Sequence, residues 1–282
     1  MKLAAIQMVS GPDVQANLLA AGELLRQAAA EGAELAVLPE YFCIMGLKDT
    51  DKLALREPFG QGPIQDFLSR TAQAHGLWIV GGTLPLMATD PARARNSSLA
   101  FAPSGQCVAR YDKMHLFRFA QGQEAYDETR VLEPGSEPMR FALPARDGHT
   151  YTVGMSICYD LRFPELYRAL QADVLLVPSA FTFTTGQAHW EVLLRARAIE
   201  NQAWVVAAAQ GGLHENGRRT WGHSMVIDPW GQIAGQRPEG AGLVMAEVTH
   251  ATLAEARARL PALSHCVPAL GSRLPAFKPP AM

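Results

Sequence analysis

The strongest constraint on this chain is an alternation of short, continuous apolar runs with amphipathic stretches, a pattern that restarts halfway along the sequence. Unbroken apolar runs of about four to eight residues suit strands covered on both faces, as in parallel sheets flanked by helices. Leu3–Met8, Leu35–Leu38 and Trp78–Gly82 are such runs in the first half. Tyr151–Ile157, Val174–Val177, Trp204–Ala209, His223–Ile227 and Leu243–Val248 follow in the second. Between the first two, Val14, Leu18, Ala21, Leu25 and Ala28 recur at helical spacing. Asp13 is placed to cap that helix and Gly32 to end it. Further helices are expected over Pro63–His75, from Pro164, over Gly186–Gln202 with Glu191 and Arg195 paired one turn apart, and over Leu253–Leu260. Leu99–Ala102 and Cys107–Tyr111 flank Pro103-Ser104-Gly105 and read as a hairpin. Asp228-Pro229-Trp230-Gly231 reads as a turn. From Phe117 to Glu137 periodicity fades, which predicts a long loop, and long loops in compact domains are usually functional.

The restart contains an internal echo. Glu34-Leu-Ala-Val-Leu-Pro-Glu-Tyr-Phe42 and Asp173-Val-Leu-Leu-Val-Pro-Ser-Ala-Phe181 share an acidic residue, four apolar residues, proline and a closing phenylalanine. The pattern predicts two β-α-β halves related by approximate symmetry, with two sheets face to face and helices outside. Ligands of such sheets collect at the carboxyl ends of strands, where Glu40 and Cys158 both fall.

Bulk properties remove several function classes. With 282 residues, 48% of them hydrophobic, the chain has ample length for a core. A net charge of −2 with no like-charge run offers nothing to nucleic acid. No apolar stretch is long enough to span a membrane, and the apolar N-terminal run, broken by Gln7, is too short for a signal peptide. Cys43, Cys107, Cys158 and Cys266 form no CxxC pair, so no metal site is expected, and so few scattered cysteines suit a reducing, cytoplasmic location. Asn96-Ser97-Ser98 matches a glycosylation sequon by chance. The low charged fraction, 18%, leaves room for an oligomer interface. One domain over residues 1–260 is expected, followed by a proline-rich arm, 261–282, carrying Pro261, Pro268, Pro275, Pro279 and Pro280.

Three residue types carry chemistry. A lone cysteine is usually a small buried hydrophobe. Cys158, however, sits on a strand-to-helix turn, and the helix starting near Pro164 aims its positive end there, which favours a thiolate. Glu40 follows a proline at a strand end among apolar and aromatic neighbours, where desolvation makes a carboxylate a useful proton carrier. Lys113 ends a strand just before the long loop, and an ammonium in a pocket can hold a developing oxyanion.

The order Glu…Lys…Cys, with its flanking segments, resembles the nitrilase superfamily of carbon–nitrogen hydrolases. The resemblance runs through AAIQM, LAVLPEYF, YDKMHLF, GMSICYDLRFPELYRAL, PSAFTFTTGQAHWEVLLRARAIENQAWVVAAAQ and GHSMVIDPWG. It implies an α/β fold built as a four-layer αββα sandwich and a catalytic triad of Glu40, Lys113 and Cys158, with Glu128 as a second glutamate holding the lysine and substrate. It also implies an acyl-thioester route without metal or organic cofactor, the oxyanion being received by Lys113 and the Tyr159 N–H. Within the superfamily, CYDLRFPE and the PSAF…AHWEVLLRARAIE segment resemble the deaminated-glutathione amidase and ω-amidase branch. The implied reaction is cleavage of the terminal amide of a small carboxylate-bearing substrate with release of ammonia, deaminated glutathione first and α-ketoglutaramate as the alternative. Arg162 is then expected to bind the substrate carboxylate, a task suited to a planar guanidinium, with Phe181 and Thr185 lining the same pocket. His115 is expected behind Lys113, with His189 and Trp190 structural and His223 capping a strand. Arg118 replaces an acidic residue usual in relatives, and is expected to shift preference toward a more anionic or bulkier amide. The branch also implies a homo-oligomer, dimer or tetramer, paired through helices.

A nitrilase or carbamoylase would share the same triad, and a non-enzymatic binding protein would have lost part of it. A nucleotide-binding α/β protein would carry a P-loop or a GxGxxG after the first strand, and neither is present.

Overall fold

Strands Lys2–Gln7, Leu35–Val37 and Trp78–Val80 run parallel at the centre of one sheet, and Thr150–Met155, Val174–Leu176 and Trp204–Ala207 do the same in a second. The computed structural model describes residues 1–122 and 124–267. Antiparallel strands complete each sheet. Gly242–Glu247 flanks the first on one side; Ala94–Phe101, Leu84–Met87 and Cys107–Asp112 flank it on the other. Ser224–Ile227 and Ile233–Arg237 extend the second on one side and Met139–Pro144 on the other. The helices are α1 (Val14–Ala30), α2 (Asp51–Ala54), α3 (Pro63–His75), α4 (Pro164–Leu170), α5 (Phe183–Asn201) and α6 (His250–Arg259).

Burial alternates along the first sheet with the two-residue period of a strand. Ala4, Ile6, Ala36, Ile79 and Leu99 share a core with Leu18, Ala21 and Leu25 of α1 and Leu68 and Ala72 of α3. Leu3, Ala5, Val37, Val80 and Ala100 point the other way, into a core with Leu143, Val153, Met155 and Leu175 of the second sheet. Tyr167 of α4 and Trp190, Leu194 and Ala198 of α5 belong to that second core. The layers are therefore helix, sheet, sheet, helix, as the apolar runs and the resemblance imply.

The internal echo is a structural equivalence. The Glu34 N–H donates to Lys2 O and its carbonyl accepts from Trp78 N; the Asp173 N–H donates to Thr152 O and its carbonyl accepts from Trp204 N. At the other end Leu38 N donates to Val80 O, and Val177 N to Val206 O. Each acidic residue thus enters the middle strand of a parallel triplet, and each proline leaves it.

The helix limits follow the sequence signals closely. Asp13 Oδ1 accepts from Ala16 N at 3.1 Å, capping α1. Helix α5 begins three residues earlier than expected because Thr182 caps it, its hydroxyl accepting from Thr185 N. The expected loop after Phe117 holds its own structure: Arg118–Gln121 and Glu124–Asp127 pair antiparallel, and Glu128–Arg130 forms a short 3₁₀ turn. Arg219–Trp221 pairs with Gly211–Leu213 in a second small hairpin that the apolar pattern does not mark. The expected C-terminal arm lies outside the described residues from 268 onward.

Candidate active site

The turn that carries Glu40 leaves the sheet at Pro39 and is fixed by buried polar groups. Tyr41 N donates to Thr83 Oγ1 at 2.9 Å, and Gln210 Nε2 donates to Glu40 O at 3.1 Å. Gly82, at φ +48°, faces this turn so closely that a Cβ there would lie 2.0 Å from Pro39 O. Only glycine accommodates both the backbone angle and the contact.

Cys158 lies at the equivalent end of Thr150–Met155, at φ +50°, as the first residue of a 3₁₀ turn over Cys158–Arg162. Its N–H donates to Pro178 O at 3.0 Å. A cysteine in the left-handed region is strained, and the surrounding turn holds it there. Asp160 is the main restraint. Its fully buried carboxylate accepts from Ile157 N at 2.8 Å, from the Tyr111 hydroxyl at 2.8 Å and from His115 N at 3.1 Å, and it contacts His115 Nδ1 at 2.7 Å. His115 also stacks on Phe163, with centroids 3.6 Å apart. One carboxylate therefore joins the Cys158 turn to the segment that delivers Lys113.

Lys113 is 1% exposed, and its Nζ donates to Glu40 Oε1 at 2.9 Å and contacts Glu128 Oε2 at 2.8 Å. Glu40, also 1% exposed, further accepts from Asn96 Nδ2 and Ala180 N, each at 2.9 Å. Glu128 accepts from the Tyr41 hydroxyl at 2.8 Å and from Phe117 N at 2.7 Å. Burial works against the ammonium of Lys113, but Glu128 and then Glu40 outweigh it, and its pKa rises. Burial likewise pushes Glu128 up, but Lys113 overrides that and holds its pKa below the usual carboxylate value.

Glu40, Lys113, Glu128 and Cys158 all line one narrow cavity, together with Phe117, Tyr159, Ala180, Phe181, Thr182, Thr185 and Arg218. The expected pocket residues Tyr159, Phe181 and Thr185 are in its wall. Several expectations change. The neighbourhood of Glu40 is buried but not apolar, since it accepts three hydrogen bonds. Cys158 is not poised as a thiolate: burial and the Glu40 carboxylate push its thiol well above the ordinary value, and Lys113 only partly opposes them. The helix at Pro164 is separated from the thiol by the 3₁₀ turn, so its positive end does not decide the balance. Arg162 is not in the wall of the cavity; its guanidinium lies 5.5 Å from the Phe181 ring centroid and 5.7 Å from that of Tyr159, with His189 Nδ1 at 3.3 Å from Nη1. Arg118 is 72% exposed beside Asp127, also away from the cavity.

Trp190 Nε1 donates to His223 O at 2.9 Å, and His223 precedes the strand Ser224–Ile227. The apolar periodicity gave no signal for Asn96, Tyr111, Asp160 or Arg218. Asn96 lies in the segment matching a sequon, buried within a strand, and its carbonyl also accepts from Lys113 N. An acidic residue two positions after the candidate nucleophile is the signal that marks Asp160.

Residues 2–258 match the carbon-nitrogen hydrolase family. Among curated relatives, a deaminated glutathione amidase from Synechocystis sp. is 42% identical over 94% of this chain and 97% of its own length. The human deaminated glutathione amidase is 40% identical over 96% of this chain and 84% of its own length. The crystal structure of Saccharomyces cerevisiae Nit3, described as a member of branch 10 of the nitrilase superfamily, superposes with a TM-score of 0.81 at 30% identity, covering 93% of this chain and 94% of that one. With its αββα sandwich and a buried Glu-Lys-Cys cluster at the strand ends, this chain belongs to the carbon-nitrogen hydrolase family.

Proposed function

We propose that the protein hydrolyses deaminated glutathione through an acyl-thioester on Cys158. The observation that carries the mechanism is the convergence of Glu40, Lys113, Glu128 and Cys158, from distant parts of the chain, on one cavity. The substrate reading rests on the named relatives.

Burial and the neighbouring Glu40 carboxylate push the Cys158 thiol up, so its attack calls for a base, and Glu40 is the carboxylate beside it. Glu40 takes the thiol proton as Sγ attacks the amide carbonyl. The oxyanion forms against the Lys113 ammonium and the Tyr159 N–H, which lies in the first turn of the 3₁₀ segment without an intrahelical acceptor. Glu128 and Glu40 keep Lys113 charged and aimed. Collapse expels the amine, which takes the proton from Glu40. A water then loses a proton to Glu40, attacks the thioester, and frees the acid and the thiol. In deaminated glutathione the acyl carbon is bonded to the cysteine nitrogen, so the amine released is cysteinylglycine; ammonia leaves only from a primary amide such as α-ketoglutaramate.

Purified enzyme incubated with each compound, with the amine product quantified and Cys158→Ala as control, tests this reading. Release of cysteinylglycine faster than release of ammonia from α-ketoglutaramate, both abolished in the variant, supports it. Turnover of α-ketoglutaramate alone moves the substrate to small primary amides.

We also infer a cytoplasmic homo-oligomer. All four cysteines are unpaired. Helix α5 exposes Val192 by 70% and Ile199 by 47%, two positions on one face, which suits helix-to-helix pairing. Val192→Glu is expected to shift the sedimentation mass to that of the monomer, and an unchanged mass would exclude this face.

A further inference from the structure

Arg218 lines both the catalytic cavity and the open groove beside it. A small cleft shares residues with both; Tyr41, Phe117, Tyr126, Lys52 and Arg218 line it together with the carboxylates Asp49, Asp127 and Glu128. Its Nη2 donates to Ala180 O at 2.8 Å, and its guanidinium carbon lies 5.0 Å from the Tyr126 ring centroid. The Nε atom is buried with no hydrogen-bond partner. The nearest catalytic carboxylates, Glu40 and Glu128, are bound to Lys113, and no ion pair forms at Arg218 among the described residues. A buried guanidinium N–H without an acceptor is costly and rare in a finished structure. Other atoms of the same side chain line the cavity and the groove, where an anionic ligand group would meet a guanidinium that no carboxylate among the described residues neutralises.

The groove carries the same sign. Among the described residues, Lys48, Lys52, Arg218 and Arg219 line it against a single carboxylate, Asp49. Asp49 is 3.9 Å from Lys52 Nζ, a loose contact, and Lys52 otherwise faces the Tyr41 ring at 4.7 Å. Burial lowers the pKa of this ammonium, so an added anion would relieve it. Arg219 is already engaged with Glu239 at 2.8 Å. Size gives the direction. The catalytic cavity is far narrower than the groove beside it, so the bulk of a long amide has room only in the groove.

We propose that Arg218 is a specificity residue that binds the C-terminal carboxylate of the leaving dipeptide, directing that half of the substrate into the groove toward Lys52. The proposal rests on the reading of deaminated glutathione as substrate. It explains how a small catalytic cavity accepts a long amide, and why an amide whose leaving group is bare ammonia gains nothing from the groove.

The test compares kcat/KM for deaminated glutathione, its C-terminal glycinamide analogue and α-ketoglutaramate, in wild type, Arg218→Gln, Arg218→Lys and Lys52→Met. Wild type should prefer the acid to the glycinamide. In Arg218→Gln, kcat/KM for the acid should fall roughly tenfold to a hundredfold relative to the same variant's value for α-ketoglutaramate, mainly through KM. The acid-over-glycinamide preference should vanish there, return in part in Arg218→Lys and weaken in Lys52→Met. Equal wild-type rates on acid and glycinamide would overturn the subsite without reference to any variant. So would an Arg218→Gln enzyme that keeps the preference or loses all three substrates alike. Wild type that turns over α-ketoglutaramate but not deaminated glutathione would overturn the substrate reading, and the subsite with it.

Discussion

The Tyr111 hydroxyl donates a 2.8 Å hydrogen bond to the buried carboxylate of Asp160, joining the strand that leads into Lys113 to the turn that begins at Cys158. The distance between nucleophile and oxyanion donor is thereby set by groups that touch neither substrate nor thiol. Tyr111→Phe removes one donor and is expected to cost about 1 kcal/mol in denaturant unfolding. Asp160→Ala strands the Ile157 and His115 N–H groups and the Tyr111 hydroxyl, and is expected to cost about 3 kcal/mol or more. Because the link positions the reacting groups, Tyr111→Phe should lower kcat with KM nearly unchanged. A change in KM alone would contradict this.

The thiol of Cys158 is raised by burial and by Glu40, so it should carry no thiolate at neutral pH. The ultraviolet thiolate absorbance of wild type minus Cys158→Ser is expected to stay flat from about pH 6 to pH 9. A step below about pH 7 would mean a preformed thiolate and would remove the need for Glu40 as base.

Pairing with Lys113 holds Glu128 below its ordinary value of 4.5, so the ionised form stabilises the fold above that pH. That contribution is lost as pH falls through the lower folded value. Lys113 is raised above its ordinary 10.5, so its contribution holds below that pH and is lost only as pH rises through the higher folded value. Glu128→Gln should therefore be destabilised by roughly 1–3 kcal/mol across the neutral range, and the gap to wild type should narrow as pH drops below about 4. Unfolding curves at several pH values check this, and a gap that persists unchanged in acid would contradict it.

Gly186 packs α5 against the hairpin strand Arg219–Trp221. An added Cβ would sit 2.3 Å from the Trp221 side chain, which also contacts Phe183 and His223 rings at 5.1 and 4.1 Å. Gly186→Ala should cost about 1–3 kcal/mol by overpacking. Thermal unfolding tests it; an unchanged Tm would mean that the hairpin moves freely.

The sheets were legible because both of their faces are buried, so apolar runs such as Leu35–Leu38 report them directly. The echo between Glu34–Phe42 and Asp173–Phe181 marked the pairing of halves because both acidic residues bridge flanking strands in the same way. Edge strands such as Met139–Pro144 and Ile233–Arg237 alternate in exposure and contain polar residues, so they left a weaker pattern. The site was legible where it coincides with strand ends, at Glu40, Lys113 and Cys158. It was not legible where position depends on tertiary hydrogen bonds. Arg218, from a polar turn with no periodic signal, lines the cavity. The ionisation of Cys158 was misread for a related reason: the nearby helix end is visible in sequence, whereas burial beside Glu40 is not.

The most direct test of the central claim is acid-quench mass spectrometry of the enzyme during turnover of deaminated glutathione. An acyl adduct carrying the mass of the keto-acid half, mapped to the peptide containing Cys158 and absent from Cys158→Ser, is the expected result. Continued release of cysteinylglycine by Cys158→Ser, or an adduct on another residue, would contradict the thioester mechanism.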